Sequence, residues 1–267
     1  MRIFKVNNKK AKLQFNLNDC GFALKSVFLL GFCGLLLGSA CTKRSDDNLQ
    51  LLSPIETYRL SVKEPSDLCF DPVSGILYTV SDNTCKVYKL STKGKVFAEL
   101  NYTGNDLEGV TLDEDQHVYV AEERLRNIVK LDMQGNEIER KKITVETNVE
   151  NEGLEGISYN SLNRHFYIIN ERNPAVLIET DEYFNILNNY QLSFADDYSG
   201  ICVDNKNQQL WIVSDMSATV NKCNLQGQLI ESYRIPVANA EGIALDVDNN
   251  KLYVVSDSEA VLYIFNY

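Results

Sequence analysis

Histidine is almost missing from this chain. Two occur in 267 residues, His117 and His165, so the usual side chain for proton transfer near neutral pH is scarce. They occupy equivalent positions ahead of two aromatic-rich runs and read as solvated strand starts. No Gly-Xaa-Ser-Xaa-Gly elbow, phosphate-cradling glycine loop or dinucleotide fingerprint occurs. Seven cysteines are too few and too scattered for a disulfide scaffold. Cys69 and Cys202 fall on first strands of two repeats, Cys85 and Cys223 on their third strands. That separation is two strand spacings, roughly 9–10 Å, too far to bridge. Free, buried thiols are expected there.

Long apolar runs are also missing, apart from one near the start. Residues 1–25 carry six basic residues against Asp19, and residues 26–37 are almost wholly apolar. Gly38-Ser39-Ala40-Cys41 follows. A basic region, a short apolar core and small residues form a secretory signal, too short to span permanently. A cysteine directly after the small residues resembles a bacterial lipoprotein signal, with Cys41 lipidated. A plain signal cut near Ala40 is the alternative. The expected organisation is a signal over 1–40, a polar tether over 41–52 and a folded domain over 53–267. The localisation expected is the outer membrane, facing the periplasm or the exterior.

Beyond residue 40, positive charge is in deficit. Removing 1–40 takes six of 26 basic and one of 37 acidic residues, leaving 20 against 36, a net charge of −16. Such a surface argues against nucleic acid and anionic lipid as partners and favours cations.

The remaining sequence is repetitive. Aromatic residues recur at Tyr78, Tyr119, Tyr167, Trp211 and Tyr253, at steps of 41, 48, 44 and 42 residues. That is the period of a four-stranded propeller blade. Each unit resolves into four short runs separated by turn residues, for example Asp71-Pro-Val-Ser-Gly75 and Asp246-Val-Asp-Asn-Asn250. The last unit ends after its third strand, and Ile55–Val62 resembles a missing fourth. The reading is all-β: one propeller of five four-stranded blades, closed by the N-terminal strand. A monomer is expected.

Two columns of this alignment carry chemistry. Ser66, Glu108, Glu155, Ser199 and Glu241 open the first strands, each followed by Asp67 or a glycine (Gly109, Gly156, Gly200, Gly242). Glycine there suits a crowded axis. The second column, Asp82, Glu123, Glu171, Asp215 and Asp257, ends the second strands and is acidic in every unit. Simple hairpins would set Glu108 opposite Glu122, Glu155 opposite Asn170 and Glu241 opposite Ser256. Both columns then meet at one mouth of the ring, with Glu122 and Asp67 close by. Carboxylates so crowded need a cation or donors to stay ionised. An all-oxygen set suits Ca²⁺ or Mg²⁺ rather than zinc. The expected ligands are Glu108, Glu155 and Glu241 with waters. The alternative is that the acids bind backbone N–H groups or pair with Arg124 and Arg172. Those arginines could instead grip an anion.

The "EG" openings, the "YVAEER" end at Tyr119–Arg124 and the "FYIINER" end at Phe166–Arg172 resemble the bacterial SdiA-regulated family. The resemblance runs from about Glu64 to Tyr267. It implies a propeller distantly similar to NHL-repeat and phytase-like propellers, often membrane-attached, with a Ca²⁺ site on the Glu-Gly residues; it implies no defined reaction. Two functions remain open. One is a lipid-anchored envelope module that binds a small molecule, glycan or protein at its acidic mouth. The other is a Ca²⁺-dependent hydrolase of the phosphoesterase or lactonase type, for which a mouth without histidine is a poor setting.

Overall fold

The computed structural model describes residues 49–144 and 153–267, and among them there are strands and no helix. Two short strands open the chain, β1 (Gln50–Leu51) and β2 (Glu56–Arg59). Blade 1 is β3 (Pro65–Asp71), β4 (Ile76–Ser81), β5 (Lys86–Leu90) and β6 (Val96–Glu99). Blade 2 is β7 (Leu107–Leu112), β8 (Val118–Glu122), β9 (Asn127–Leu131) and β10 (Glu137–Lys142). Blade 3 is β11 (Leu154–Asn160), β12 (His165–Asn170), β13 (Val176–Thr180) and β14 (Ile186–Gln191). Blade 4 is β15 (Gly200–Asp204), β16 (Gln209–Ser214), β17 (Thr219–Asn224) and β18 (Leu229–Arg234). Blade 5 is β19 (Ala240–Asp246), β20 (Lys251–Ser256) and β21 (Val261–Asn266), completed by β2.

The first strands pack in a cycle, β3 on β7, β7 on β11, β11 on β15, β15 on β19 and β19 back on β3. The ring is a five-bladed propeller with the N-terminal closure expected from the sequence. One strand was not foreseen. β1, inside the stretch expected as tether, adds to blade 4 by pairing parallel with β18, Gln50 beside Tyr233 and Leu51 beside Arg234. The Cys41 site and the leader lie outside the described residues.

Each pair of neighbouring blades shares one apolar core, five in all. This is why the second strands are apolar on both faces: each blade is covered on both sides by its neighbours. The aromatic column is fully buried. Its cross-strand partner repeats as well. Lys89 lies over Tyr78 at 5.2 Å, Lys130 over Tyr119 at 5.3 Å and Lys222 over Trp211 at 5.6 Å. Blade 5 carries Ile264 and blade 3 carries Glu179 instead. Its carboxylate accepts hydrogen bonds from His165 Nδ1 (2.8 Å), Asn188 (2.8 Å), Tyr190 (2.9 Å) and Tyr167 (3.2 Å).

His117 is paired in a similar way, with its Nδ1 2.9 Å from Asp113. Both histidines are half-buried and tied to a carboxylate, so the expectation of plain solvation was wrong. They do lie at the edge away from the mouth. At that edge Asp71, Asn160, Asp204 and Asp246 end the first strands, Asp113 directly follows its own, and all five cap the hairpins, as when Asp113 accepts from the His117 N–H at 2.8 Å. Cys69, Cys202 and Cys223 lie on strands and Cys85 in the turn just before β5; all four are free, Cys223 buried and the other three half-buried.

The chain from Ser45 onward forms one compact unit holding all five cores and the ring closure, so it carries the whole fold by itself.

Candidate functional site

The start of the first strand is irregular in four blades and regular in blade 4, and the irregularity builds the site. In blade 2, Leu107 faces Glu122 and Gly109 faces Ala121, leaving Glu108 as an extra residue. In blade 3, Leu154 faces Asn170 and Gly156 faces Ile169, leaving Glu155. In blade 5 the break falls between Ala240 and Ile243, across Glu241 and Gly242. Blade 1 has the same break at Ser66. The simple hairpin pairings expected from the sequence are therefore off by a β-bulge. A bulge re-aims its extra side chain out of the sheet, and here that direction is the channel.

The glycines that follow are forced by crowding. A Cβ on Gly200 would stand 2.2 Å from Glu241 O, and one on Gly242 would stand 2.5 Å from the Asp67 backbone. Gly109 and Gly156 face similar approaches of 2.9–3.2 Å and 3.1–3.2 Å.

The result is a cavity of about 360 Å³ at one end of the channel. Glu108, Glu155 and Glu241 line it, with Asp82, Glu171, Asp215 and Asp257 from the second column. Two further acids line it that the sequence reading missed, Glu64 and Asp197. Both stand two residues before the glutamate column, alongside Asp106, Gly153 and Asn239. Glu64, Asp106 and Asn239 turn the chain there with positive φ. Among the described residues nine carboxylates thus line one cavity, and Arg172 is its one basic lining residue.

Three expected mouth residues do not reach it. Glu122 is buried and accepts from Tyr102 OH (2.9 Å), Asn127 (3.0 Å) and the Asn105 N–H (3.2 Å), and it pairs with Arg140. The bulge turned Glu108 away from it and left Glu122 inside the blade. Glu123 accepts from the Gly153 N–H at 3.0 Å, joining blades 2 and 3. Asp67 is fully buried, accepting from Val110 N–H at 2.8 Å. Burial drives its carboxyl well above the usual range, against the pull of the Val110, Leu68 and Ile243 N–H groups. The arginines pair with neighbouring acids: Arg124 with Asp106 at 2.9 Å, Arg172 with Glu171 at 2.9 Å.

The two serines and three glutamates of the column behave differently. Ser66 and Ser199 accept the N–H of the following second-strand acid, Asp82 and Asp215, at 3.3 and 3.4 Å. No backbone N–H reaches the side chains of Glu108, Glu155 or Glu241 among the described residues. Burial raises all three carboxyls, first by loss of water and then by mutual repulsion. Glu108 is pushed well up, with Asp82 and Glu241 adding to the burial. Glu155 is pushed well up by burial and by Glu108 and Glu123. Glu241 reaches about 8, with Asp215 and Asp257 as the main charges. Asp82 and Asp257 are raised as well, again chiefly by burial. Oxygens of Asp82, Asp106 and Glu108 lie within 4.8 Å of one another.

Fold and site together define a five-bladed propeller with a carboxylate-lined channel mouth. The match to the SdiA-regulated family spans residues 54–266, and the chain belongs to that family. Among solved structures it is similar to glutaminyl cyclase of Myxococcus xanthus, at 13% identity and a TM-score of 0.64, covering 81% of this chain and 96% of that one. It is also similar to virginiamycin B lyase of Staphylococcus aureus, at 14% identity and a TM-score of 0.47, covering 75% and 69%. At 13% identity the likeness to the cyclase is one of fold.

Proposed function

We propose that the mouth binds a divalent cation of the Ca²⁺ type and uses it to hold a ligand in the cavity above. Glu108, Glu155 and Glu241 would hold the ion, with waters and the rim acids completing an all-oxygen shell. The carrying observation is the set of three glutamates, each on a bulge of a different blade, aimed into one cavity without a backbone donor. Carboxylates in that state are costly unless a cation or a proton neutralises them, and a bound cation would take the place of the protons. The donor set contains no sulfur or nitrogen, which fits a hard cation. The ion would supply a positive centre that polarises or grips an oxygen-bearing ligand. The anchor at Cys41 belongs to the same proposal: a lipoprotein of the outer membrane that presents this mouth to the periplasm or the exterior.

The test is a calcium titration of chelator-stripped protein comprising residues 45–267, followed by calorimetry and thermal unfolding. Micromolar or tighter binding is expected, weakened at least tenfold in Glu108→Gln and in Glu155→Gln. Absence of both heat and a melting shift would overturn the proposal.

A second reading, catalysis at the same mouth, is favoured by Glu241. A carboxyl at about 8 keeps its proton near neutrality, as a general acid requires. Turnover of a phosphoester, a lactone or, following the name of the cyclase that shares the fold, an N-terminal glutaminyl peptide, lost in Glu241→Gln, would establish it.

A further inference from the structure

We infer that the opposite end of the channel is a second binding site, for a neutral and largely apolar small molecule that places a hydrogen-bond acceptor against Thr111 and Ser158. A cavity of about 400 Å³ opens there, within the ~300–1,000 Å³ typical of small-molecule sites. None of its lining is shared with the acidic mouth.

The floor comes from one column of first-strand residues: Cys69, Thr111, Ser158 and Cys202. Thr111 Oγ1 accepts the N–H of Tyr159 at 3.2 Å, and Ser158 Oγ accepts the N–H of Val203 at 2.9 Å. Each oxygen is thereby tied to the next blade, and each hydroxyl keeps its proton to donate. Ser158 is only 8% exposed, and its proton has no acceptor among the described residues. Thr111 has only a weak neighbour, Cys69 Sγ at 4.0 Å. The thiols carry no charge, since burial pushes Cys69 up to about 12 and Cys202 higher still.

The walls are apolar and incompletely covered. Phe70, Leu112 and Val247 are half-buried against the cavity, and Val73 at the rim is 82% exposed. Five acids and one lysine line this end, and each acid has a partner: Glu114 pairs with Arg164 at 3.2 Å and Asp248 with Lys206 at 3.7 Å. Asp71 accepts from the Val73 N–H at 2.9 Å, Asp113 from His117 and Tyr119, and Asp246 from Asn249 at 2.7 Å. A charged ligand would give up hydration and find no counter-charge at the floor. A hydrocarbon would leave the Ser158 proton without a partner, whereas a ketone or ester oxygen would meet it.

The experiment is a Nile red titration of residues 45–267, displaced in turn by 2-nonanone, nonane, nonylammonium and nonanoate. One saturable site is expected, with the ketone displacing the dye at least tenfold better than either charged analogue. Val73→Asp should weaken the ketone at least tenfold while leaving the melting temperature and calcium titration unchanged. Ser158→Ala should remove the preference for ketone over nonane. No saturable binding, binding indifferent to Val73→Asp, or a preference for nonylammonium would each overturn the inference.

Discussion

Glu155 shows how a side chain can serve a site and weaken the fold that carries it. Its carboxyl ionises near 4.5 when free and well above that in the fold. Between those values the unfolded chain sheds a proton that the folded chain keeps. Stability of the metal-free protein therefore falls as pH rises, and the whole penalty remains above the folded value. Glu155→Gln should thus raise the melting temperature of chelator-treated protein at pH 8, change it little at pH 4, and weaken calcium binding. Because cation binding must expel these protons, calcium should bind more tightly at pH 8 than at pH 5.5, and raise the melting temperature more there. Calorimetry in two buffers of different ionisation enthalpy would measure the released protons.

Glu179 has the opposite sign. Burial opposes its ionisation, but His165, Asn188, Tyr190 and Tyr167 donate to it and hold the carboxyl below the usual range. Its contribution is present above about pH 4.5 and is lost as pH falls through the folded value. Glu179→Gln should cost about 1–3 kcal/mol at pH 7, read from urea unfolding, and less at pH 3. At this scale the sequence was only partly legible. Glu108, Glu155 and Glu241 stand out because each precedes a glycine in register with the others. Glu64 and Asp197 were missed because their column also holds Gly153 and Asn239 and so shows no common residue type.

Among the elements, the first strands combine two opposed demands. They must approach one another across the axis, and they must turn a glutamate into the channel. The glycine after each glutamate meets the first demand and the bulge meets the second. Gly200→Ala should cost about 1–3 kcal/mol through overpacking, because the new methyl meets the fixed Glu241 carbonyl rather than a mobile side-chain tip. Gly75→Ala is the comparison: nothing lies within 4 Å of its Cβ position, so only the strain of its φ of 68° remains. Equilibrium unfolding of the pair separates crowding from backbone strain. Strand positions were readable because alternation and turn residues mark them. The bulges were not, since one extra residue shifts register without changing composition, and Glu122 was misplaced at the mouth for that reason. β1 is two residues long, too short for any periodicity to show.

For the whole molecule, repetition made the fold legible: the aromatic column alone sets blade number and period. The unpaired third strand at the C-terminus and the spare strand at the N-terminus then leave one way to close the ring. Deleting residues 49–60 should open it, bare the β21 edge and promote self-association. Light scattering coupled to size exclusion should detect dimers or larger species, together with a lower melting temperature.

The pairing of Tyr58 with Leu262 also dictates an order of events during synthesis. Almost the entire domain separates these two residues, so β2, among the first strands to leave the ribosome, waits for the last. Blades 1 to 4 can assemble as the chain emerges, while blade 5 cannot be finished until Asn266 is free. Contacts this distant in sequence are slow to form. The nascent chain must therefore keep β2 without its partner until β21 emerges, and whatever shields that strand governs the yield of closed rings.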